Sequence, residues 1–520
     1  MKLVLYFLFS LFFNVYGYNV LVVFPFPTRS HSILGDGFVR HLLNAGHQVT
    51  YITPSVWNNA PAKLRQISVH DNYKIMEYMG TSLNVEKIIN KEFFLDVESV
   101  LQLCEDIATA TFKTPAVQEL MRNPNEKFDA IIAEWMFTEL FSGLGVIYDC
   151  PFIWSSSLDS HWMVRKFMDE TTSPAYTADY ASTNIPPFTF SQRLEELWTQ
   201  IKVSAIERFK MWPKTLRQYE ELYSPAAQAV GKQLPDYEEV RHNASLMFLN
   251  SHVSFGSANS MPHNFKYIGG YHIETPTKPL PENLKKIMDE AKHGVIYFSM
   301  GSVLKSTDMP EQLKSGLLKM FSQLKQTVIW KFEEIMPNTP KNVHIVQWAP
   351  QPSILNHSNC IMFITHGGLL STTEAIHYGV PLIGVPMFAD QYNNIEKAKF
   401  KGIAKKVDIS YEMPKELFDA INDILTDNRY KTKMKYTSQL YHDRQHSPAE
   451  ELVYWVEHVI RTRGAHHLRS PALLTPWHQK LFLDLLSIIL VIILCVCFVI
   501  RKVFLLSVVG KRKRKSTKTS

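Results

Sequence analysis

The sequence predicts an α/β protein of two doubly wound halves with a cleft between them, followed by one membrane-spanning helix. Three observations carry that prediction. Short apolar runs of strand length alternate with stretches of helical spacing in two separate series, the pattern of βα units feeding parallel sheets. A stretch dense in Gly and Pro, about Ser254 to Pro281, separates the series and reads as a linker. Near the end, Leu481 to Ile500 is apolar except for Asp484 and Ser487. At about 1.5 Å per residue it spans about 30 Å, the hydrocarbon thickness of a bilayer.

In chain order, Met1 to Gly17 carries Lys2, an apolar run through Phe13 and Val15-Tyr16-Gly17 as a cleavage site, so a signal peptide is expected. Asn19 to Phe24 reads as a buried parallel strand broken by Pro25 and Pro27, Phe38 to Ala45 as a helix, and Val49 to Thr53 as a second strand, which together make a βαβ unit. Phe128 to Ala133 and Pro151 to Ser155 continue the series, and the aromatic, charged stretch from about Thr171 to Tyr223 reads as a helical insertion shaping a pocket. The second series comprises Gly294 to Ser299, Val328 to Lys331, His344 to Val346, Cys360 to Ile364 and Pro381 to Val385. The expected divisions are a first domain over 18–260, a second over 261–465, a juxtamembrane segment over 466–480, the span over 481–500 and a basic tail over 501–520.

The formal net charge is +6, yet Lys511, Arg512, Lys513, Arg514, Lys515 and Lys518 all lie in the tail, so the folded body is near neutral, which argues against nucleic acid as a partner. Basic residues directly after the span keep that end cytosolic, giving a type I protein with its body in the lumen and the lipid bilayer as a partner through one helix. Of five cysteines, Cys495 and Cys497 fall in the span, and Cys104, Cys150 and Cys360 have neither CxxC nor metal-ligand spacing. Two sequons occur, at Asn243 and Asn356, and Asn243 is the expected glycosylation site because Asn356 sits inside the motif described next.

From Trp348 to Gln391 the chain reads WAPQPSILNHSNCIMFITHGGLLSTTEAIHYGVPLIGVPMFADQ. A strand ending at Thr365, a turn through His366, Gly367 and Gly368, and a helix from Leu369 would present free backbone N–H groups and a positive dipole end to a phosphate. His366 adds a side-chain donor. Glu374, one to two turns into that helix, suits the paired hydroxyls of a ribose, since an ionised carboxylate only accepts. Trp348 offers a flat face for a base. Singly these residues have bland readings, respectively a turn, a solvated helix face and core; their joint spacing is what points to a nucleotide sugar.

This stretch resembles the signature of the UDP-glycosyltransferases that act on small lipophilic molecules, and the resemblance extends more weakly over nearly the whole chain. It implies the GT-B fold, with acceptor in the first half and donor in the second. It also implies donor contacts from Ser302, Trp348, Gln351, His366, Gly367, Gly368, Ser371 and Glu374, with Asp390 and Gln391 holding the hexose hydroxyls. Relatives usually place Asn four residues after the donor-site His; here stands Leu370. In the family a histidine after the first strand is the catalytic base, matched by Ser30-His31, and a carboxylate after the strand reading FDAIIA orients it. That place holds Glu134 where relatives have Asp, with Asp129 at the wrong end of the strand as the substitute.

Glucuronosyl members of vertebrates tend to carry an Arg shortly before a Pro-Asn pair, whereas Ala258 to Asn264 here has none, so UDP-glucose is the expected donor and small hydroxylated lipophiles the expected acceptors. No metal ion or other cofactor is implied. The resemblance places the protein in the endoplasmic reticulum membrane, although Lys518 stands without the second lysine common near the family's C-terminus. Other readings are UDP-glucuronate as donor, lipid or protein acceptors, or a membrane-anchored carrier or sensor that has lost catalysis. Turnover of UDP-glucose with small phenols discriminates among them. Oligomeric state, a homo-oligomer included, and acceptor identity are not legible.

Overall fold

The computed structural model describes residues 17–80, 84–92, 96–168, 172–256, 260–301 and 308–516. Residues 1–16 of the expected signal peptide, Ser302, Ala258 and Asn259, and the last four residues of the tail lie outside the described residues. The chain separates into two compact units, residues 17–168 with 172–469, and the C-terminal part from Ser470.

The first unit holds two all-parallel sheets. One has the order β3-β2-β1-β4-β5-β6-β7, formed by β1 (Asn19–Val23), β2 (Gln48–Thr53), β3 (Leu64–Ser68), β4 (Ala130–Trp135), β5 (Phe152–Ser156), β6 (Leu246–Leu249) and β7 (Phe265–Tyr267). The other has the order β10-β9-β8-β11-β12-β13, formed by β8 (Val295–Ser299), β9 (Thr327–Lys331), β10 (Val343–Val346), β11 (Cys360–Thr365), β12 (Leu382–Gly384) and β13 (Ala404–Lys406). Strand order reverses between β1 and β4 and again between β8 and β11, so each sheet opens a crevice beyond the carboxyl ends of those strands.

The central strands read as continuous apolar runs because helices cover both faces. Alternate residues feed opposite cores. Leu21, Val23, Ile131 and Ala133 pack on one side of the first sheet, and Val20, Val22, Ile132 and Tyr51 on the other. In the second sheet Ile296, Phe298, Met362 and Ile364 face one core while Val295, Tyr297 and Phe363 face the other.

Three expectations change. The helix after β1 spans Arg29–Asn44 rather than starting at Phe38, so His31 sits in its first turn and not in a loop. Phe265–Tyr267, inside the expected linker, pairs with β6 as the edge strand of the first sheet, which therefore extends past the expected boundary at 260. The helix Pro448–Arg461, opened by a capping box of Ser447 and Glu450, inserts Leu452, Val456 and Val459 into the core of the first sheet, so the chain expected to belong to the second domain through 465 crosses back.

In the C-terminal unit one helix spans Leu483–Ser516. Its stretch Leu483–Val508 is long and apolar enough to cross a membrane, 26 residues in place of the 20 expected over 481–500. The start is set by Phe482, whose φ of 56° breaks the preceding turn, and the helix continues through Arg501 and Lys502 instead of stopping there.

Candidate functional site

At the carboxyl end of β1 the chain turns through Pro25 to Thr28 and enters the helix Arg29–Asn44. His31, in the first turn, packs its ring 4.7 Å from that of Phe26 and turns Nδ1 onto the Glu134 carboxylate. Glu134 is the penultimate residue of β4 and is fully buried, and its Oε1 also accepts a hydrogen bond from Ser157 Oγ at 3.2 Å. With Nδ1 held by a carboxylate, the tautomer that leaves Nε2 free to accept a proton is favoured. Asp129 is excluded from this pair: it accepts from the backbone N–H of Asn19 at 2.7 Å, at the amino ends of β1 and β4, opposite the end that carries Glu134.

In the second sheet β8 ends at Ser299, two residues before Gly301, and β11 leads into the turn through His366, Gly367 and Gly368. The imidazole of His366 lies against both glycines. A Cβ on Gly301 would stand 2.7 Å from its Cε1 and one on Gly368 2.5 Å from its Nε2, and Gly301 and Gly367 have φ of +82° and +84°, so only glycine fits. Burial pushes the His366 pKa down to about 4, helped by the charge of Lys331, so the ring is neutral at physiological pH and acts through its dipole. The helix Leu369–Tyr378 begins directly after Gly368 and aims its free N–H groups at this turn.

Gln351, Ser371 and Glu374 form one cluster. Gln351 Nε2 donates to Ser371 Oγ at 3.1 Å and to Glu374 Oε2 at 2.7 Å, while the other Glu374 oxygen is 3.3 Å from His272 Nε2. Glu374 is buried but keeps acceptor capacity, since a carboxylate offers about four lone-pair directions. Trp348 is 60% exposed, with the Arg29 guanidinium 5.7 Å and the Lys331 ammonium 6.0 Å from its ring. Leu370, in place of the usual Asn, packs against the core of the first half.

Asp390 follows Ala389, whose φ of 54° is a conformation that a non-glycine residue seldom takes. Its carboxylate accepts from Asn394 Nδ2 at 2.7 Å, and burial raises its pKa against the opposing influence of that bond and of the His31 charge across the cleft. Gln391 directs Oε1 inward to the N–H groups of Met387 and Phe388, at 2.9 and 3.3 Å, which leaves its amide NH2 as the group free to meet a ligand. A cavity joins the two halves here, lined by Asp159, His161 and Tyr180 on one side and Leu369, Asp390 and Asn394 on the other. Lys397 bridges it to Asp159 at 3.2 Å, and Asn393 Nδ2 donates to Ser182 O at 2.8 Å.

Two residues escaped the sequence reading. Lys331, the last residue of β9, is buried with Nζ 3.0 Å from Gly301 O and 2.5 Å from Glu333 Oε1, a cation beside the phosphate-sized turn. Its signal was a charged residue closing an otherwise apolar strand. His272 lies in the stretch read as linker and carried no signal. The expected glycosylation site, Asn243, is exposed, with its Oδ1 accepting from Arg469 Nη1 at 2.7 Å. Asn356 is exposed too, its Nδ2 donating to Thr277 Oγ1 at 3.0 Å.

The family model described as UDP-glucoronosyl and UDP-glucosyl transferase matches residues 19–517. UDP-glucosyltransferase 2 of Dactylopius coccus is 31% identical over 490 residues, covering 93% of this chain and 92% of that protein. Human UDP-glucuronosyltransferase 2B15 is 27% identical, covering 95% of each. Among solved structures, the glycotransferase of kitacinnamycin superposes with a TM-score of 0.56 at 16% identity over 85% of this chain and 98% of that one. A UDP-glucosyltransferase from Polygonum tinctorium does so with a TM-score of 0.56 at 13% identity, over the same shares. These likenesses identify the fold as GT-B, as the sequence predicted.

Proposed function

This chain belongs to the family of UDP-glucuronosyl and UDP-glucosyl transferases, and on that premise we propose that it moves glucose from UDP-glucose to a hydroxyl of a small lipophilic acceptor, inverting the anomeric centre. The observation that carries the reading is the buried Glu134 gripping Nδ1 of His31 at the crevice of the first sheet. An alcohol is a poor nucleophile until its proton leaves, and a positioned imidazole takes it. His31 Nε2 accepts the acceptor's proton as the acceptor oxygen bonds to the anomeric carbon. The bond from that carbon to the β-phosphate oxygen breaks, and UDP departs with the electron pair. Glu134 stabilises the imidazolium so formed.

Charge gathers on the departing diphosphate, where the amides of Gly367 and Gly368, the helix start at Leu369, the neutral His366 and the cation of Lys331 converge. We assign the base to Trp348, the ribose hydroxyls to Glu374 as held by Gln351, and the hexose hydroxyls to Asp390 and the amide of Gln391. No step is assigned to a metal ion or other cofactor.

Two results test the donor site. Glu374→Ala should weaken UDP itself by about ten- to a hundredfold, the loss expected when a charged hydrogen-bond acceptor is removed. Gln391→Ala should weaken UDP-glucose while leaving UDP almost unchanged, both read by calorimetry. Equal effects of the two changes on UDP would show that nucleotide and hexose contacts are assigned to the wrong residues. For the sugar, microsomes containing the full chain should turn over UDP-glucose against a panel of phenols and steroidal alcohols, with at most traces from UDP-glucuronate. Preference for UDP-glucuronate would overturn the glucose assignment and leave the rest standing.

A further inference from the structure

Glu374, assigned above to the ribose hydroxyls, can present its oxygens to a diol only while the plane of its carboxylate is fixed, and that terminal torsion is soft. Gln351 holds Oε2 at 2.7 Å. Beside Oε1, at 3.3 Å, stands Nε2 of His272, whose side chain is 1% exposed. Both ring nitrogens of His272 are shut off from water and neither has a hydrogen-bond partner among the described residues, so the approach to Oε1 is close but off the line of a hydrogen bond. A buried N–H without an acceptor is costly and rare in native proteins, and the nearby carboxylate supplies one by a small turn.

The imidazole is held there from the first half. Ile268 and Tyr271, on the stretch that follows β7, pack in the core of the first sheet. Arg40 Nη2 donates to the carbonyls of Tyr271 and His272 at 3.4 and 3.1 Å, its Nη1 lies 3.3 Å from Glu274 Oε1, and His41 Nε2 donates to the Tyr271 carbonyl at 2.7 Å. Arg40 and His41 belong to the helix Arg29–Asn44, which carries His31 in its first turn. Every donor contact assigned above comes from the second half, so His272 is a first-half group that reaches the nucleoside site. We propose that His272 is a positioning residue for the ribose: its imidazole N–H donates to Glu374 Oε1 when the nucleotide binds, and fixes the carboxylate plane that the two ribose hydroxyls meet. The inference rests on the assignment of those hydroxyls to Glu374. Ribose recognition is thereby tied to the helix that carries the base, and a nucleotide seated on Glu374 is held by both halves.

The test titrates the full chain, in detergent micelles, with UDP and with 2′,3′-dideoxy-UDP, which lacks the ribose hydroxyls. His272→Leu keeps an apolar side chain and removes the N–H; it should weaken UDP by about tenfold, the worth of a hydrogen bond to a charged group, and leave dideoxy-UDP unchanged. His272→Gln, whose amide can donate over a similar reach, should recover most of the lost affinity. The loss should appear in KM for UDP-glucose and not in kcat, since His272 touches no reacting atom. Unchanged UDP affinity in His272→Leu would overturn the proposal. Equal loss of UDP and dideoxy-UDP would do so as well, because it marks a residue that only shapes the fold, and so would a His272→Gln variant as weak as His272→Leu. Glu374→Ala separates premise from inference: equal loss of both nucleotides there removes the ribose assignment itself, whereas a loss confined to UDP there, with none in His272→Leu, removes His272 alone.

Discussion

His31→Ala should lower turnover with a neutral alcohol acceptor by about two to four orders of magnitude, the range spanned by a positioned general base, or on the order of 3–5 kcal/mol of barrier. UDP binding should survive, because no donor-half contact described above involves His31 apart from its charge acting on Asp390. The expected signature is a fall in kcat with UDP affinity, measured by calorimetry, unchanged. Near-normal turnover would remove His31 from the mechanism. The ring of His31 packs on Phe26 and its loss leaves the buried Glu134 with Ser157 as partner, so some loss of stability is expected, and the unchanged UDP affinity of the variant separates the catalytic loss from a folding defect.

Glu134→Ala should be impaired by a factor approaching that of His31→Ala, since the two act as one unit and their losses should not add. The double variant should be little worse than the poorer single one. Removing the carboxylate frees the ring and withdraws the charge that stabilises the imidazolium, and it also strips Ser157 of its acceptor. Glu134→Asp, the family's usual residue, should keep part of the activity, because the shorter side chain retains the acceptor but must reach further. A Glu134→Ala enzyme indistinguishable from wild type would break the pair. No replacement from Asp129 is expected, because its carboxylate is committed to Asn19 at the amino ends of β1 and β4, the opposite end of the strands.

Much of this architecture was legible because buried parallel strands leave a strong mark: β1, β4, β8 and β11 are runs of apolar residues four to six long, and they carry the site at their ends. The short strands β3, β6, β7 and β13 were missed, β6 although all four of its residues are buried, because a run of four cannot be told from a buried helix segment. The other three are edge strands, which pair on one side only, and β3 exposes Arg65 and Ser68, three positions apart, so neither an apolar run nor a strict alternation stands out. The early start of the helix at Arg29 was hidden by Gly35 and Gly37, which weaken helix propensity. Both are required by packing: a Cβ on Gly35 would meet Tyr51 Oη at 2.2 Å, and one on Gly37 the Tyr271 ring at 2.8 Å. The return of the helix Pro448–Arg461 to the first half was illegible for another reason, since an apolar stripe announces that a face is buried without naming what buries it. The donor cluster was read from spacing in Trp348 to Gln391, but His272 reaches Glu374 from far outside that spacing and only the fold brings it there.

Transfer as proposed requires a proton to move from acceptor to His31, and acceptor acidity tests that directly. The defect of His31→Ala should be measured across a series from an aliphatic alcohol through phenol to a nitrophenol that ionises unaided near neutral pH. If His31 is the base, the ratio of wild-type to variant kcat should fall by at least about tenfold along the series, because an acceptor already deprotonated needs no base. A ratio that stays constant from alcohol to nitrophenol would contradict proton removal by His31 and leave it as a residue that only shapes the acceptor pocket.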